Sequence, residues 1–209
     1  MAYHCQTSAT NPNIKEMTTI GQQVVSGFRW LAAGRFAGQV FTWVITIFVI
    51  RLLTPEDYGL MAMATVVINF LALFDELGMG AAIVQQDDLD DRQISQVFGV
   101  VIIINVVAFV ILVSTAGAIA GFFSEPRLVP IIWALSLQFP ILAVQVIPEA
   151  IIRRRMAFQG KSVANFGSMI AGSVVTLVLA LSGIGVWSLV IGNICTVLAR
   201  TIGYNVVAR

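Results

Sequence analysis

The chain alternates long apolar runs with short polar connections, and the lengths of the runs decide what they are. Residues 30–50 are an apolar run bracketed by Arg29 and Arg51. As a helix rising 1.5 Å per residue this run measures about 31 Å, the thickness of the hydrocarbon layer of a bilayer. Comparable runs recur at 58–77, 98–122, 131–147, 164–181 and 186–204. The pattern predicts an all-α, polytopic membrane protein: a bundle of six transmembrane helices spread over residues 17–209. Residues 1–16 are polar, contain Pro12 and show no apolar period, so they read as a disordered tail. Helical character begins near Met17, with Thr18 and Thr19 available as caps, which makes Met17 a candidate translation start.

The connections carry their own signals. In Thr54-Pro55-Glu56-Asp57 the proline suits the first turn of the second helix. Asp75 and Glu76 are expected to end that span and Gly78-Met79-Gly80 to break the helix. Residues 81–96 are mixed and acidic, too polar to cross a bilayer, and read as an interfacial elbow. Pro140 falls inside the fourth run, where it should kink the helix and free a carbonyl. The turn after the fifth run is SGIGVW, residues 182–187. The first run is too long for a signal-peptide core, and RLLTPEDYG follows it where a small-residue cleavage site would stand.

Composition agrees with this reading. Hydrophobic residues make up 58% of the 209 and charged residues only 11%, against roughly 25% in soluble domains; the mean hydropathy is +0.90. A net charge of +1, with the basic residues gathered between apolar runs, argues against nucleic acid as a partner. The partner expected instead is the lipid bilayer.

Charge also orients the bundle. The loop 149–161, EAIIRRRMAFQGK, holds Arg153, Arg154, Arg155 and Lys161 between two spans. Placing it in the cytoplasm puts Lys15, Arg29, Arg92, Arg153, Arg154, Arg155, Lys161 and Arg209 on that side and only Arg51 and Arg127 on the other. This bias predicts a multi-pass protein of the bacterial inner membrane with both termini cytoplasmic.

Polar residues inside the spans are costly in lipid and normally face the bundle interior or a water-filled cavity. They fall in helical stripes. The first span carries Arg35, Gln39, Thr42 and Thr46, and the second Thr65, Asn69 and Glu76. The fourth carries Gln138, Gln145 and Glu149, the fifth Asn165, Ser168, Gly172 and Thr176, and the sixth Asn193, Thr196 and Arg200. One reading is a shared polar lumen, for which Arg35, Gln39, Asn69, Gln138, Gln145, Asn193 and Arg200 are the candidate substrate-binding residues. The other is interhelical hydrogen-bond glue, with Gly34 and Gly38 allowing close packing. Arg35 and Arg200 sit at matching depth and suit a clamp on an anionic group such as a pyrophosphate. The alternative for them is snorkelling, or pairing with Glu76 and Glu149.

No other chemistry stands out. Asp88-Leu89-Asp90 has the form of a metal-binding DxD, but without a nucleotide-binding α/β domain around it a solvated acid cluster is the better reading. His4, Cys5 and Cys195 form no metal or disulfide pattern. The chain offers no Ser/His/Asp set and no phosphate loop, so neither an enzyme nor a cofactor or metal is expected.

Five segments carry a resemblance: SGFRW (26–30), RLLTPEDYGLMAM (51–63), GMGAAIVQ (78–85), RMAF (155–158) and GIGVWSL (183–189). Together they resemble the polysaccharide transporter family, the O-antigen and colanic-acid-type flippases of the multidrug/oligosaccharidyl-lipid/polysaccharide exporter superfamily, over about residues 18–208. The resemblance implies flipping of an undecaprenyl-pyrophosphate-linked oligosaccharide across the inner membrane for surface polysaccharide synthesis, by alternating access between two six-helix lobes, with a polar and often cationic cavity for the head group. Such proteins have twelve or more helices; six here correspond to the N-terminal lobe, which calls for a second lobe or self-association. The competing expectations are a non-transporting scaffold that docks the polysaccharide assembly machinery and, more remotely, a membrane glycosyltransferase using the acids at 87–91.

Overall fold

A computed structural model of the chain describes residues 36, 38–84, 91–154 and 158–208. The tail, Met17, Arg35, the DxD acids Asp88 and Asp90, and Arg155 lie outside the described residues, and so do the expectations placed on them. The side chain of Glu76 is likewise outside the description.

The described chain is helical, in seven segments: α1 (Gly38–Leu52), α2 (Pro55–Val84), α3 (Asp91–Phe123), α4 (Leu128–Ser136), α5 (Gln138–Arg154), α6 (Phe158–Leu181) and α7 (Val186–Ala208). Five stretches are long and apolar enough to cross a membrane: Pro55–Leu73, Gly99–Phe123, Leu128–Glu149, Gln159–Leu181 and Val186–Ala208. The described part of the first run, α1, is a shorter apolar helix. The chain is thus a multi-pass all-α membrane protein, as its apolar runs predict.

Two expectations about helix ends are corrected. Gly78-Met79-Gly80 does not break α2, which runs on through Asp75, Glu76 and both glycines to Val84. A glycine inside a helix costs only about 1 kcal/mol relative to alanine, and the helix-forming residues around these two outweigh it. The expected elbow therefore shrinks: residues 81–84 belong to α2, 91–96 begin α3, and 85–90 are outside the described residues. The fourth span is interrupted rather than kinked at Pro140. α4 ends at Ser136, the Leu137 N–H turns back to the Ala134 carbonyl at 3.3 Å, and α5 restarts at Gln138. Pro140 then sits in the first turn of α5, where its missing N–H costs nothing. A second proline, Pro148, lies inside α5.

Two turns use left-handed backbone. After α3, Ser124 has φ 55°, its N–H meets the Gly121 carbonyl at 3.2 Å, and the Glu125 N–H meets that of Ala120 at 3.0 Å. This is a Schellman ending with serine where glycine is usual. Between α6 and α7, Gly183 and Gly185 take φ 73° and 64°, which glycine adopts without strain.

The core follows four-residue spacings. Leu60, Ala64 and Ile68 of α2 and Ala108, Leu112, Ala116 and Ala120 of α3 close on Leu128, Ile131, Ile132 and Leu135 of α4, with Phe139, Val186 and Val190. A smaller cluster joins Ile45, Val49 and Leu53 of α1 to Ala180 of α6. Large apolar side chains such as Phe36, Trp43, Phe70 and Phe122 are exposed, which is the expected surface for a protein whose solvent is lipid. Because lipid supplies no hydrophobic drive between helices, close packing must come from small residues. Gly38 admits the Phe166 ring against α1, and α6 packs along the length of α7 through Gly160, Gly172, Gly192 and Gly203.

Candidate functional site

Two polar features lie within the spans. The first is a cleft of about 570 Å³ between α2 on one side and α6 and α7 on the other, within the range of small-molecule sites. α2 contributes Tyr58, Thr65 and Asn69 to its wall; α6 contributes Ser173 and Thr176, and α7 Asn193 and Thr196. Each threonine hydroxyl is already committed within its own helix: Thr65 donates to the Met61 carbonyl at 2.6 Å, Thr176 to that of Gly172 at 2.9 Å, and Thr196 to that of Gly192 at 2.8 Å. What they offer the cleft is lone pairs. The carboxamides of Asn69 and Asn193 have no hydrogen-bond partner among the described residues. Both side chains are exposed, and because an unpaired amide facing hydrocarbon would cost several kcal/mol they call for water, a ligand or another protein surface to meet them.

The second feature is a knot joining α5, α6 and α7. Gln145, 6% exposed, accepts from Thr201 Oγ1 at 3.2 Å and from Arg200 Nε at 3.3 Å, and its own amide reaches Glu149 Oε2 at 3.4 Å. Glu149 Oε1 receives Lys161 Nζ at 2.6 Å, the ammonium lies 5.8 Å from the centre of the Tyr204 ring, and the Tyr204 hydroxyl donates to Asn165 Oδ1 at 2.8 Å. Lys161, counted in the sequence only as a loop charge, is thus an α6 side chain in a partly buried ion pair.

The candidate residues divide between these features. Asn69 and Asn193 come together in the cleft, Gln145 and Arg200 in the knot. Gln138 is half-buried at the start of α5, and Gln39 is exposed on α1; neither lines the cleft. Arg35 lies outside the described residues, so the matching half of an arginine clamp is not seen. Arg200 meets Gln145 rather than Glu149, one of the alternatives open to it, and Lys161 takes the carboxylate. Tyr58, Ser173, Thr176 and Thr196 were not among the candidates. The available signal was the repeat Gly172-x-x-x-Thr176 and Gly192-x-x-x-Thr196, which places the same pair of residues on two adjacent spans.

At the opposite end of α7 a carboxylate ties separate segments together. Asp57 Oδ2 accepts from the Thr54 N–H at 3.1 Å and hydroxyl at 2.8 Å, while Oδ1 accepts from the Val186 N–H at 3.0 Å. A negative charge at the first residue of α7 also complements its dipole. Beside it, Glu56 pairs with Arg127 at 2.9 Å across an exposed surface. The segments RLLTPEDYGLMAM and GIGVWSL, far apart in sequence, therefore meet at Asp57, and Gly185 is a glycine because a side chain there would press on that carboxylate.

The sequence profile of the family described as polysaccharide biosynthesis protein matches residues 48–209. The chain is 29% identical over 159 residues to the succinoglycan biosynthesis transport protein ExoT of Rhizobium meliloti (strain 1021), covering 76% of this chain and 32% of that protein. It is 24% identical to the teichuronic acid biosynthesis protein TuaB of Bacillus subtilis (strain 168), covering 68% of this chain and 29% of that one. To the lipopolysaccharide biosynthesis protein WzxC of Escherichia coli (strain K12) it is 19% identical, covering 78% and 33%. The chain spans about a third of the length of these curated relatives. No solved structure matches it significantly. With the profile covering most of its length and every described span, the chain belongs to the polysaccharide biosynthesis protein family of membrane proteins.

Proposed function

We propose that this chain acts in the export of a lipid-linked oligosaccharide, of the undecaprenyl-pyrophosphate type, across the bacterial inner membrane, as a carrier rather than an enzyme. The observation that carries the reading is the cleft between α2, α6 and α7, whose largely apolar wall holds two carboxamides that are unpaired among the described residues, at membrane depth. Relatives whose names state transport or biosynthesis of surface polysaccharides support the substrate class. In this reading both termini are cytoplasmic, in keeping with the lysine and arginine bias of the loops. The knot end of α7 faces the cytoplasm and the Asp57 end the far side.

The head group enters near Arg200. The Arg200 Nε is held by Gln145, which leaves the two terminal nitrogens of the guanidinium to meet a diphosphate. From Arg200 to Asn193 is seven residues along α7, about 10 Å, so a diphosphate at Arg200 puts the sugars that follow it at the cleft while the prenyl tail stays in lipid. The six-helix bundle works as one lobe, and a second lobe or a second copy gives it something to rock against.

Removal of this chain from its cell should make lipid-linked oligosaccharide accumulate in the cytoplasmic leaflet while its synthesis continues. A fall in synthesis or polymerisation without that accumulation would favour a scaffold for the assembly machinery instead.

A further inference from the structure

We infer that the cleft between α2, α6 and α7 is a subsite for an uncharged sugar, carried on a lipid, and that Asn69 and Asn193 select it against acidic sugars. The inference rests on the proposed export role and goes on to divide the substrate between two places. Charge is segregated in the lobe. Lys161, Glu149 and Arg200 are tied into the knot, whereas the described residues of the cleft wall include no Asp, Glu, Lys, Arg or His.

The hydrogen-bonding character of the wall sharpens this. The three threonines have spent their protons on carbonyls of their own helices and present oxygen lone pairs. A carboxylate or phosphate brought against them would meet three acceptors and, from the asparagine amides, Ser173 and Tyr58, only neutral donors, with no compensating cation among the described residues. A sugar hydroxyl, donor and acceptor at once, satisfies both the threonine oxygens and the asparagine amides.

The two amides are staggered. Val186 is joined to Asp57; from that junction Asn193 lies seven residues along α7 and Asn69 twelve along α2. Their levels therefore differ by about 7–8 Å, so they address different edges of a sugar or two neighbouring rings. Tyr58 lies nearer the junction on the same wall. Both asparagines lie inside candidate spans, the depth at which a sugar on the proposed lipid carrier would be presented.

The test uses the full chain in vesicles containing equal amounts of glucosyl-diacylglycerol and glucuronosyl-diacylglycerol, with the lipids retained after extraction read by native mass spectrometry. The glucosyl lipid should be retained roughly tenfold more, the ratio expected when a polar site rejects a ligand it cannot satisfy. The preference should vanish in Asn69→Leu and Asn193→Leu and persist in Asn193→Gln, with melting temperatures showing that all three variants are folded. Equal retention, preference for the glucuronosyl lipid, or a preference unchanged in both leucine variants would overturn the inference. Failure here with intact export in cells would leave the transport role standing and remove only the subsite, whereas loss of export on deletion says nothing of sugar charge. Excess free maltose tells the source: displacement of the glucosyl lipid would overturn the requirement for a lipid carrier, and its absence supports it.

Discussion

Thr196 occupies the space that a side chain at Gly172 would need. A Cβ built on Gly172 lies 1.7 Å from Thr196 Oγ1, and one built on Gly192 lies 1.8 Å from Thr176 Oγ1, so the two spans interlock through reciprocal glycine and threonine pairs. The same threonines face the cleft. Closeness of α6 and α7 and the shape of the cleft therefore have one cause.

Gly172→Ala should accordingly lower the melting temperature of the purified protein, by the equivalent of about 1–3 kcal/mol for overpacking. Gly172→Ala combined with Thr196→Gly should recover part of the loss, because the second change vacates the contested space. Thermal unfolding of the two variants in one lipid environment checks this. Equal melting of the single variant and the parent would mean that α6 and α7 do not pack as described.

The tie at Asp57 makes a different prediction. Asp57→Ala leaves the N–H groups of Thr54 and Val186 without their acceptor, at a cost of about 1–3 kcal/mol for the unsatisfied donors. Amide exchange at Val186 should quicken, and Asp57→Asn, which keeps one acceptor oxygen, should fall between the two. Exchange measured by mass spectrometry across 182–190 reads it.

Breaking the ion pair of the knot should be worse than removing it. Lys161→Met leaves Glu149 partly buried without its ammonium. The penalty should fall short of the roughly 3–5 kcal/mol typical of fully buried pairs, since the two side chains remain 24% and 19% exposed. Adding Glu149→Gln should restore much of the stability, and melting of the single and double variants decides it.

At the end of α3, Ser124 holds a backbone conformation that glycine takes freely. Ser124→Gly should raise stability by about 0.5–1 kcal/mol, the relief of left-handed strain less the added freedom of the unfolded chain. A lower melting temperature would show that the serine side chain contributes to the turn.

The spans were legible because each is a single apolar run of membrane length, a signal that needs no tertiary context. Helix ends were less so. Gly78 and Gly80 read as a break, but a glycine only weakens a helix that its neighbours and packing sustain. Pro140 was visible, yet the interruption falls at Leu137, because the carbonyl left without a donor by the missing proline N–H is that of Ser136, four residues earlier. The polar stripes put polar residues on one face of each helix, but a stripe cannot say which helices meet or whether that face is buried, and Gln39, Thr46, Asn69 and Asn193 are exposed. Asn69 and Asn193 share a cleft while Gln145 and Arg200 share a knot, and that division depends on which helices pack against α7, α2 beside Asn193 and α5 beside Arg200. Lys161 looked like a loop charge because the start of α6 is polar, and Asp57 read only as part of the connection before the second helix because its second partner lies more than a hundred residues away.

The measurement closest to the central claim is export in living cells carrying Asn69→Leu together with Asn193→Leu, at a membrane level of the protein matched to the parent. If the cleft is the sugar path, surface polysaccharide should fall by an order of magnitude or more, and lipid-linked oligosaccharide should build up in the cytoplasmic leaflet. Normal surface polysaccharide with both carboxamides gone would contradict it.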